Sequence, residues 1–267
     1  VLTNTREKDY AYAIIHSEQG VMAIKLYQFA ISHYSEKIRW ALAHKALAYE
    51  PVFLLPGTHI NTIKALTGQS SVPVIDHDGT IVQGSAAIID YLDSTFSEHP
   101  LTPADPAGQN EARAWEQRLD TVAGPAVRCY CYHHLLQRPR IVTPLLAAQT
   151  PFYNKIIIRL GFSRIEETMR EWMKINERTA QQARDTLDTL LTELAAAYQH
   201  REYLVGEQFS RADLTAAALL APLFQPAAYP VPWPDRQRLP AEMMHWADTH
   251  RPLLDKLQAL YTAHRGA

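Results

Sequence analysis

Two cysteines, Cys129 and Cys131, are all that the 267 residues contain, so a disulfide framework does not hold this fold and a reducing, cytoplasmic setting is expected. An excess of charge of one sign is missing as well. Lys plus Arg number 26 against 28 Asp plus Glu, so no global field draws the chain to nucleic acid or to an anionic membrane. The longest apolar run, Leu214 to Phe224, falls far short of the ~20 residues a membrane-spanning helix needs. Neither a membrane nor nucleic acid is expected as a partner. Val1 to Gly20 carries Arg6, Glu7, Lys8 and Asp9 without a long apolar core, so it does not read as a secretory signal. Internal repeats and low-complexity tracts are lacking. With 47% hydrophobic residues, the chain can bury a full core as one large or two small domains.

The informative stretch runs from Ala23 to Asp93. An apolar strand pattern, Ala23 to Phe29, passes through small polar residues into a helix with Ile38, Trp40, Ala41 and Leu42 on its buried side, which places Ser32 where strand becomes helix. A helix start offers unpaired N–H donors and the positive end of the macrodipole. Ser32 is therefore placed to touch an anion. Ser71 to Asp76 sets Pro73, a candidate cis proline, between a polar turn and a short apolar strand, and Asp78-Gly79 closes a hairpin into Ile81-Val82. Gly84 to Leu92 then opens a second helix with Ser85 near its start.

This order of strand, helix, strand, helix, hairpin and helix resembles the thioredoxin-like half of the cytosolic glutathione S-transferase superfamily, in its Ser/Cys-type, bacterial-like form. The resemblance rests on Ser32, Lys37 two residues before Arg39, Val72-Pro73 ahead of the hairpin, and Ser85 followed by Ile88 to Leu92. Three positions differ from the family pattern. His33 stands where proline is common, Ser71 where a longer polar side chain precedes Val-Pro, and Gly84 where a Glu or Gln holds the γ-glutamyl group.

What the resemblance implies is an α/β thioredoxin-like N-terminal domain followed by an all-α helical C-terminal domain, divided as an arm over 1–21, a glutathione-binding domain over 22–96, a linker over 97–107 and a substrate domain over 108–267. Glutathione would be the co-substrate, with no metal, a small electrophile as the partner and a homodimer as the assembly. By the same resemblance the Ser32 hydroxyl hydrogen-bonds the glutathione sulfur and, with the helix start, stabilises the thiolate. Val72 and Pro73 would serve the cysteinyl part of the tripeptide and Ser85 its γ-glutamyl carboxylate. Tyr34 and Ser35 are near enough to substitute for Ser32, with Ser35 read as the helix cap. A thiol nucleophile is absent from Ser32-His33-Tyr34-Ser35, which excludes glutaredoxin-type dithiol exchange. The alternative, kept open by Gly84, is a non-catalytic binding or regulatory module with weakened glutathione affinity.

Across the second half, helices are expected over Glu111 to Leu136 with a kink at Gly124-Pro125, over Ile165 to Tyr198 as one long element, and over Ala241 to His264. Ser210 followed three residues later by Asp213 reads as a capping box, a folding device. Gln137 to Arg164, interrupted by Pro139, Pro144 and Pro151, is a candidate cover for the cleft. Cys129, Cys131, His133 and His134 gather potential metal ligands, yet no second cluster completes a zinc set. Arg138, Arg140, Lys155, Arg159 and Arg164 interleave with Phe152, Tyr153 and Phe162, and with net charge near zero they read as the solvated face of a lid.

Overall fold

The computed structural model describes residues 23–265, so the arm over 1–21, including a candidate strand through Tyr10 to Ile15, lies outside the described residues. Strand β1 (Ile24–Gln28) is followed by α1 (His33–His44), β2 (Tyr49–Phe53), α2 (His59–Thr67), the hairpin β3 (Val74–His77) and β4 (Thr80–Gln83), and α3 (Ser85–Thr95). The four strands lie in the order β2-β1-β3-β4. β1 runs parallel to β2 and antiparallel to β3, with Leu26 opposite Pro51 and Ile75. Alternation explains the register: Ile24, Leu26 and Gln28 are buried while Lys25 and Tyr27 are half-buried. Asp78 and Gly79, at φ 49 and 89, make the hairpin turn, as Asp-Gly does where both central residues need positive φ.

The helical half starts with α4 (Pro106–Arg118), capped by Asp105, whose side chain accepts from the Gly108 N–H at 2.7 Å. That start falls inside the segment read as linker. Helical turns continue through Leu119–Ala123, a π-helical segment, into α5 (Gly124–Leu136). In place of a proline break, the Gly124 N–H reaches back five residues to the Leu119 carbonyl, absorbing Pro125 as one wide turn. The ambiguous segment forms α6 (Pro139–Leu146) and α7 (Phe152–Leu160), with α8 (Phe162–Trp172) behind them.

Two expected helices are divided. Ile165 to Tyr198 breaks at Lys174, with φ 54, and restarts as α9 (Glu177–Tyr198) on a box in which Asn176 and Thr179 satisfy each other's backbone N–H. After α10 (Arg211–Phe224), the terminal segment forms α11 (Ala241–Thr249) and α12 (Arg251–His264), with Pro252 in the first turn of the second.

α10 is the axis of the core. Leu214, Thr215, Ala216 to Leu220 and Ala221 are fully buried, and the helix packs on α1, α4 and α12. Its small side chains let neighbours approach, and each buried leucine contributes about 1.5–3 kcal/mol. Asp213 holds its start: one carboxylate oxygen accepts from the Ser210 N–H at 3.1 Å, and the other accepts from the Leu204 N–H at 2.7 Å and the Tyr198 hydroxyl at 2.9 Å. Among the described residues no helix is long and apolar enough to cross a membrane.

Candidate active site

A cleft of about 840 Å³ opens between the sheet domain and the helices. Ser32 stands at its edge as the N-cap of α1: its Oγ accepts from the Ser35 N–H at 3.2 Å, and its carbonyl accepts from the Glu36 N–H at 2.9 Å. Capping uses an oxygen lone pair and leaves the hydroxyl hydrogen free to donate. The cap and an anion contact are thus compatible in one side chain. Ser35, read from sequence as the cap, is instead a fully buried first-turn residue that donates to Ser32.

The loop bearing Ser32 is fixed from beneath. Arg39 donates to Gln28 Oε1 at 2.6 Å, to the Ala30 carbonyl at 3.2 Å and to the Phe29 carbonyl at 3.4 Å, and Tyr229 donates to the Ile31 carbonyl at 2.9 Å. Arg39 is itself paired with Glu36 at 2.5 Å, and Glu36 with Arg265 at 2.7 Å and with the Tyr261 hydroxyl. Although burial raises the Glu36 carboxyl, Arg39 and Arg265 outweigh it and hold the group below the usual carboxylate range. Strand β1, helices α1 and α12 and the segment bearing Tyr229 thereby hold one loop, so the serine is preorganised.

Tyr34, the other candidate hydroxyl, is committed elsewhere. It donates to the Asp120 carbonyl at 2.5 Å. That carbonyl lies in the π-helical segment, five residues before Pro125, which has no N–H to give it. Burial, then the charge of Asp120, raises the phenol further. Lys37, quoted above for the family pattern, is fully buried and bridges Glu116 at 2.7 Å and Asp120 at 2.8 Å. Arg211 completes the set by pairing with Glu116 and with Asp90, each at 2.5 Å. Lys37, Glu116, Asp120, Asp90 and Arg211 tie the two halves together and do not reach the cleft, whereas Tyr34 lines it.

Val72 lines the cleft beside Ser70 and Ser71, and the Val72-Pro73 bond is cis. Pro73 is buried and does not line it; its carbonyl accepts from the Gly84 N–H at 3.1 Å, docking the hairpin onto the start of α3. Ser85, 7% exposed, is the first residue of α3 and is likewise outside the lining. Gly84 has φ 93, which explains glycine there. The Gln83 amide donates to the Ser71 carbonyl at 2.7 Å and to its hydroxyl at 3.1 Å, so that side chain is occupied.

The opposite wall is mostly apolar. Val127, Cys131, Tyr132 and Leu135 of α5 and Ile165, Met169 and Trp172 of α8 face the space, with Trp233 and Met243 closing it. Segment 137–164 contributes Leu145, Ile157, Gly161 and Arg164, placing it along the cleft. Its outer side is not merely a solvated charged face. Phe152, Tyr153, Ile156 and Leu160 are exposed on α7, interleaved with Lys155 and Arg159. Burial, reinforced by Cys129, pushes the Cys131 thiol up to about 12, which makes it inert as a nucleophile. No group of three or more His, Cys, Asp or Glu side chains among the described residues is arranged to hold a metal ion.

With this geometry in place, likeness to known proteins is decisive. The family model for the glutathione S-transferase N-terminal domain matches residues 26–100, and that for the C-terminal domain matches 146–245. The chain belongs to the cytosolic glutathione S-transferase superfamily. Among relatives, protein LigF of Sphingobium sp. is 36% identical over 104 residues, 37% of this chain and 40% of LigF. A probable maleylacetoacetate isomerase of Caenorhabditis elegans is 37% identical over 91 residues, 33% of this chain and 42% of the relative. The chain therefore spans about two-fifths of the length of these curated relatives. Over the whole fold, a Methylobacterium radiotolerans glutathione S-transferase in complex with glutathione sulfonate superimposes with a TM-score of 0.61 at 20% identity, covering 91% of this chain and 95% of that one. The thioredoxin-like plus all-helical architecture of the transferases is the fold of this chain.

Three features of the site gave no signal in the sequence. The Tyr34 tether and the Arg39–Glu36–Arg265 support join residues far apart in the chain. Arg128, on the cleft wall, gave no local signal at all.

Proposed function

We propose that the chain is a glutathione-dependent transferase that holds the glutathione thiolate at Ser32 for attack on a small electrophile, by conjugation or by a dehalogenation, isomerisation or lyase variant. The observation carrying this reading is Ser32 itself, a cap whose free O–H borders a large apolar cleft at a helix start. A thiol with pKa near 8.5 is about a few per cent ionised at neutral pH, and a helix start with a donated hydrogen bond lowers such values by about one to several units. Val72 would pair through its backbone with the cysteinyl part. Pro73 would act by shaping that segment, and Ser85 would meet the γ-glutamyl carboxylate at the start of α3. The glutathione sulfonate complex of the Methylobacterium relative supports glutathione as the co-substrate. A homodimer and a cytoplasmic location belong to the same proposal, and sedimentation as a monomer at micromolar concentration would remove the first.

Gly84 favours a second reading, a transferase-fold binding or regulatory module. Without a side chain it offers no carboxylate to the glutathione amine, and losing one charge-assisted bond costs about 1.5–3 kcal/mol. That weakens binding by roughly ten- to hundred-fold without abolishing it. Calorimetric titration with glutathione separates the readings. The enzyme reading expects weak, measurable binding; no heat at millimolar glutathione would replace it with the module.

A further inference from the structure

One half-buried charge on the cleft wall has no partner among the described residues. Arg128 lies on α5, half-buried, on the wall opposite the sheet domain. Among the described residues, no ion pair or hydrogen bond engages its guanidinium, whereas Arg39, Arg211 and Arg265 are all paired with carboxylates. Its position is set by helix periodicity. Gly124 lies one turn earlier on the same face and touches the Tyr34 ring closely enough that a Cβ would come 2.1 Å from the hydroxyl. Arg128 therefore stands one turn along from the contact between α5 and the start of α1.

A neutral polar group on the same lining is also unpaired. His33, 6% exposed, lines the cleft, and its Nε2 is buried without a hydrogen-bond partner. Buried polar atoms are normally paired. The other charges on the lining, Arg164 and Glu171 of α8, are exposed. Tyr132 and Leu135 lie one and two turns along α5 from Arg128 on the same face, and Met169 and Trp172 line the same cleft from α8. An arginine set in an apolar, aromatic surround fits a ligand with a flat apolar body and one anionic head.

Resting on the transferase reading, we infer that Arg128 is the specificity-determining residue for the second substrate, an aromatic electrophile bearing a carboxylate- or sulfonate-type anion that the guanidinium binds while the ring fills the apolar wall. Glutathione would occupy the Ser32 and Val72 side, and Arg128 would select among electrophiles without acting on the thiol.

The test uses two fluorescent probes in the absence of glutathione: 8-anilinonaphthalene-1-sulfonate and its uncharged parent, N-phenyl-1-naphthylamine. Wild type is expected to bind the sulfonate more tightly than the parent. Arg128→Met should weaken the sulfonate about ten- to hundred-fold while changing the parent less than about twofold, and Arg128→Lys should retain part of the preference. Glutathione affinity, measured separately by calorimetry, should be unchanged in both variants. Equal weakening of the two probes, no preference in wild type, or a loss of glutathione affinity in the variants would each overturn the assignment. If Arg128→Met does not fold, the wild-type comparison and Arg128→Lys still decide it. A chain that binds no glutathione yet keeps the Arg128-dependent preference would sink the transferase reading and leave the anion site standing.

Discussion

The Tyr34 hydroxyl reaches across the domain boundary to the Asp120 carbonyl, 86 positions away in sequence, with a separation of 2.5 Å. Gly124 makes room for it: an added Cβ would sit 2.1 Å from that hydroxyl and 2.5 Å from the ring carbon that bears it. Overpacking at such a contact costs about 1–3 kcal/mol. Gly124→Ala should therefore lower stability by that amount in urea unfolding. Tyr34→Phe removes the donor without adding volume and should cost about 1–2 kcal/mol, while glutathione turnover continues. Loss of turnover in Tyr34→Phe with the fold intact would transfer the thiolate role from Ser32 to Tyr34.

Lys37, Glu116 and Arg211 form a buried cluster that joins α1, α4 and α10. Removing one member leaves an uncompensated charge in a low-dielectric interior, at about 3–5 kcal/mol. We expect Lys37→Met to destabilise by that amount, and Lys37→Met combined with Glu116→Gln to lose less than the sum of the two single changes. Additive losses in a double-mutant cycle would show that the two side chains do not couple.

Acid sensitivity follows from two histidines, His33 buried and His44 half-buried. Burial, then the charge of Arg128, holds the His33 imidazole down at about 3, and burial, then His99 and His264, holds His44 at about 4, both from an ordinary 6.5. Below pH 6.5 the unfolded chain takes up protons that the folded chain refuses, so stability falls as pH drops, down to about 3 for His33 and about 4 for His44. His33→Leu should flatten part of that decline, by on the order of a few kcal/mol across the window. Wild type and His33→Leu losing stability in parallel from pH 6.5 to 4 would refute the buried neutral imidazole.

Local devices were legible in the sequence and long-range ones were not. Asp78-Gly79, Val72-Pro73 and the Ser210–Asp213 box each work within a few residues, where spacing alone carries the physics. The break at Lys174 was equally local, encoded by Asn176 and Thr179, but the apolar stripe on either side masked it. Lys37 read as a family position on a helix; its partners Glu116 and Asp120 lie some eighty residues away and come together only when α10 packs on both α1 and α4. Arg128 gave no sequence signal because its significance is the lack of a carboxylate nearby, a property of three dimensions.

At Gly84 two effects oppose each other. The position has φ 93 with no heavy atom within 4 Å of an added Cβ, so the whole penalty of a side chain there is backbone strain, about 1–3 kcal/mol. Gly84→Glu should lower the unfolding free energy by that amount and at the same time bind glutathione about tenfold more tightly, through the carboxylate it offers to the amine. Gly84→Ala supplies the control, with the same loss of stability and no gain in affinity. A Gly84→Glu protein that binds glutathione no better than Gly84→Ala would place the γ-glutamyl group elsewhere.

The account's central claim is that the Ser32 hydroxyl and the start of α1 stabilise a thiolate, and the titration of bound glutathione tests it most directly. Thiolate absorbance of the complex, followed against pH under saturating glutathione, should give a pKa at least about one unit below the ordinary thiol value near 8.5. In Ser32→Ala, with the helix start retained, it should move back toward the free value by about one unit or more, and turnover at neutral pH should fall in proportion to the thiolate fraction. A bound thiol that titrates at the same pH in wild type and Ser32→Ala would contradict the claim.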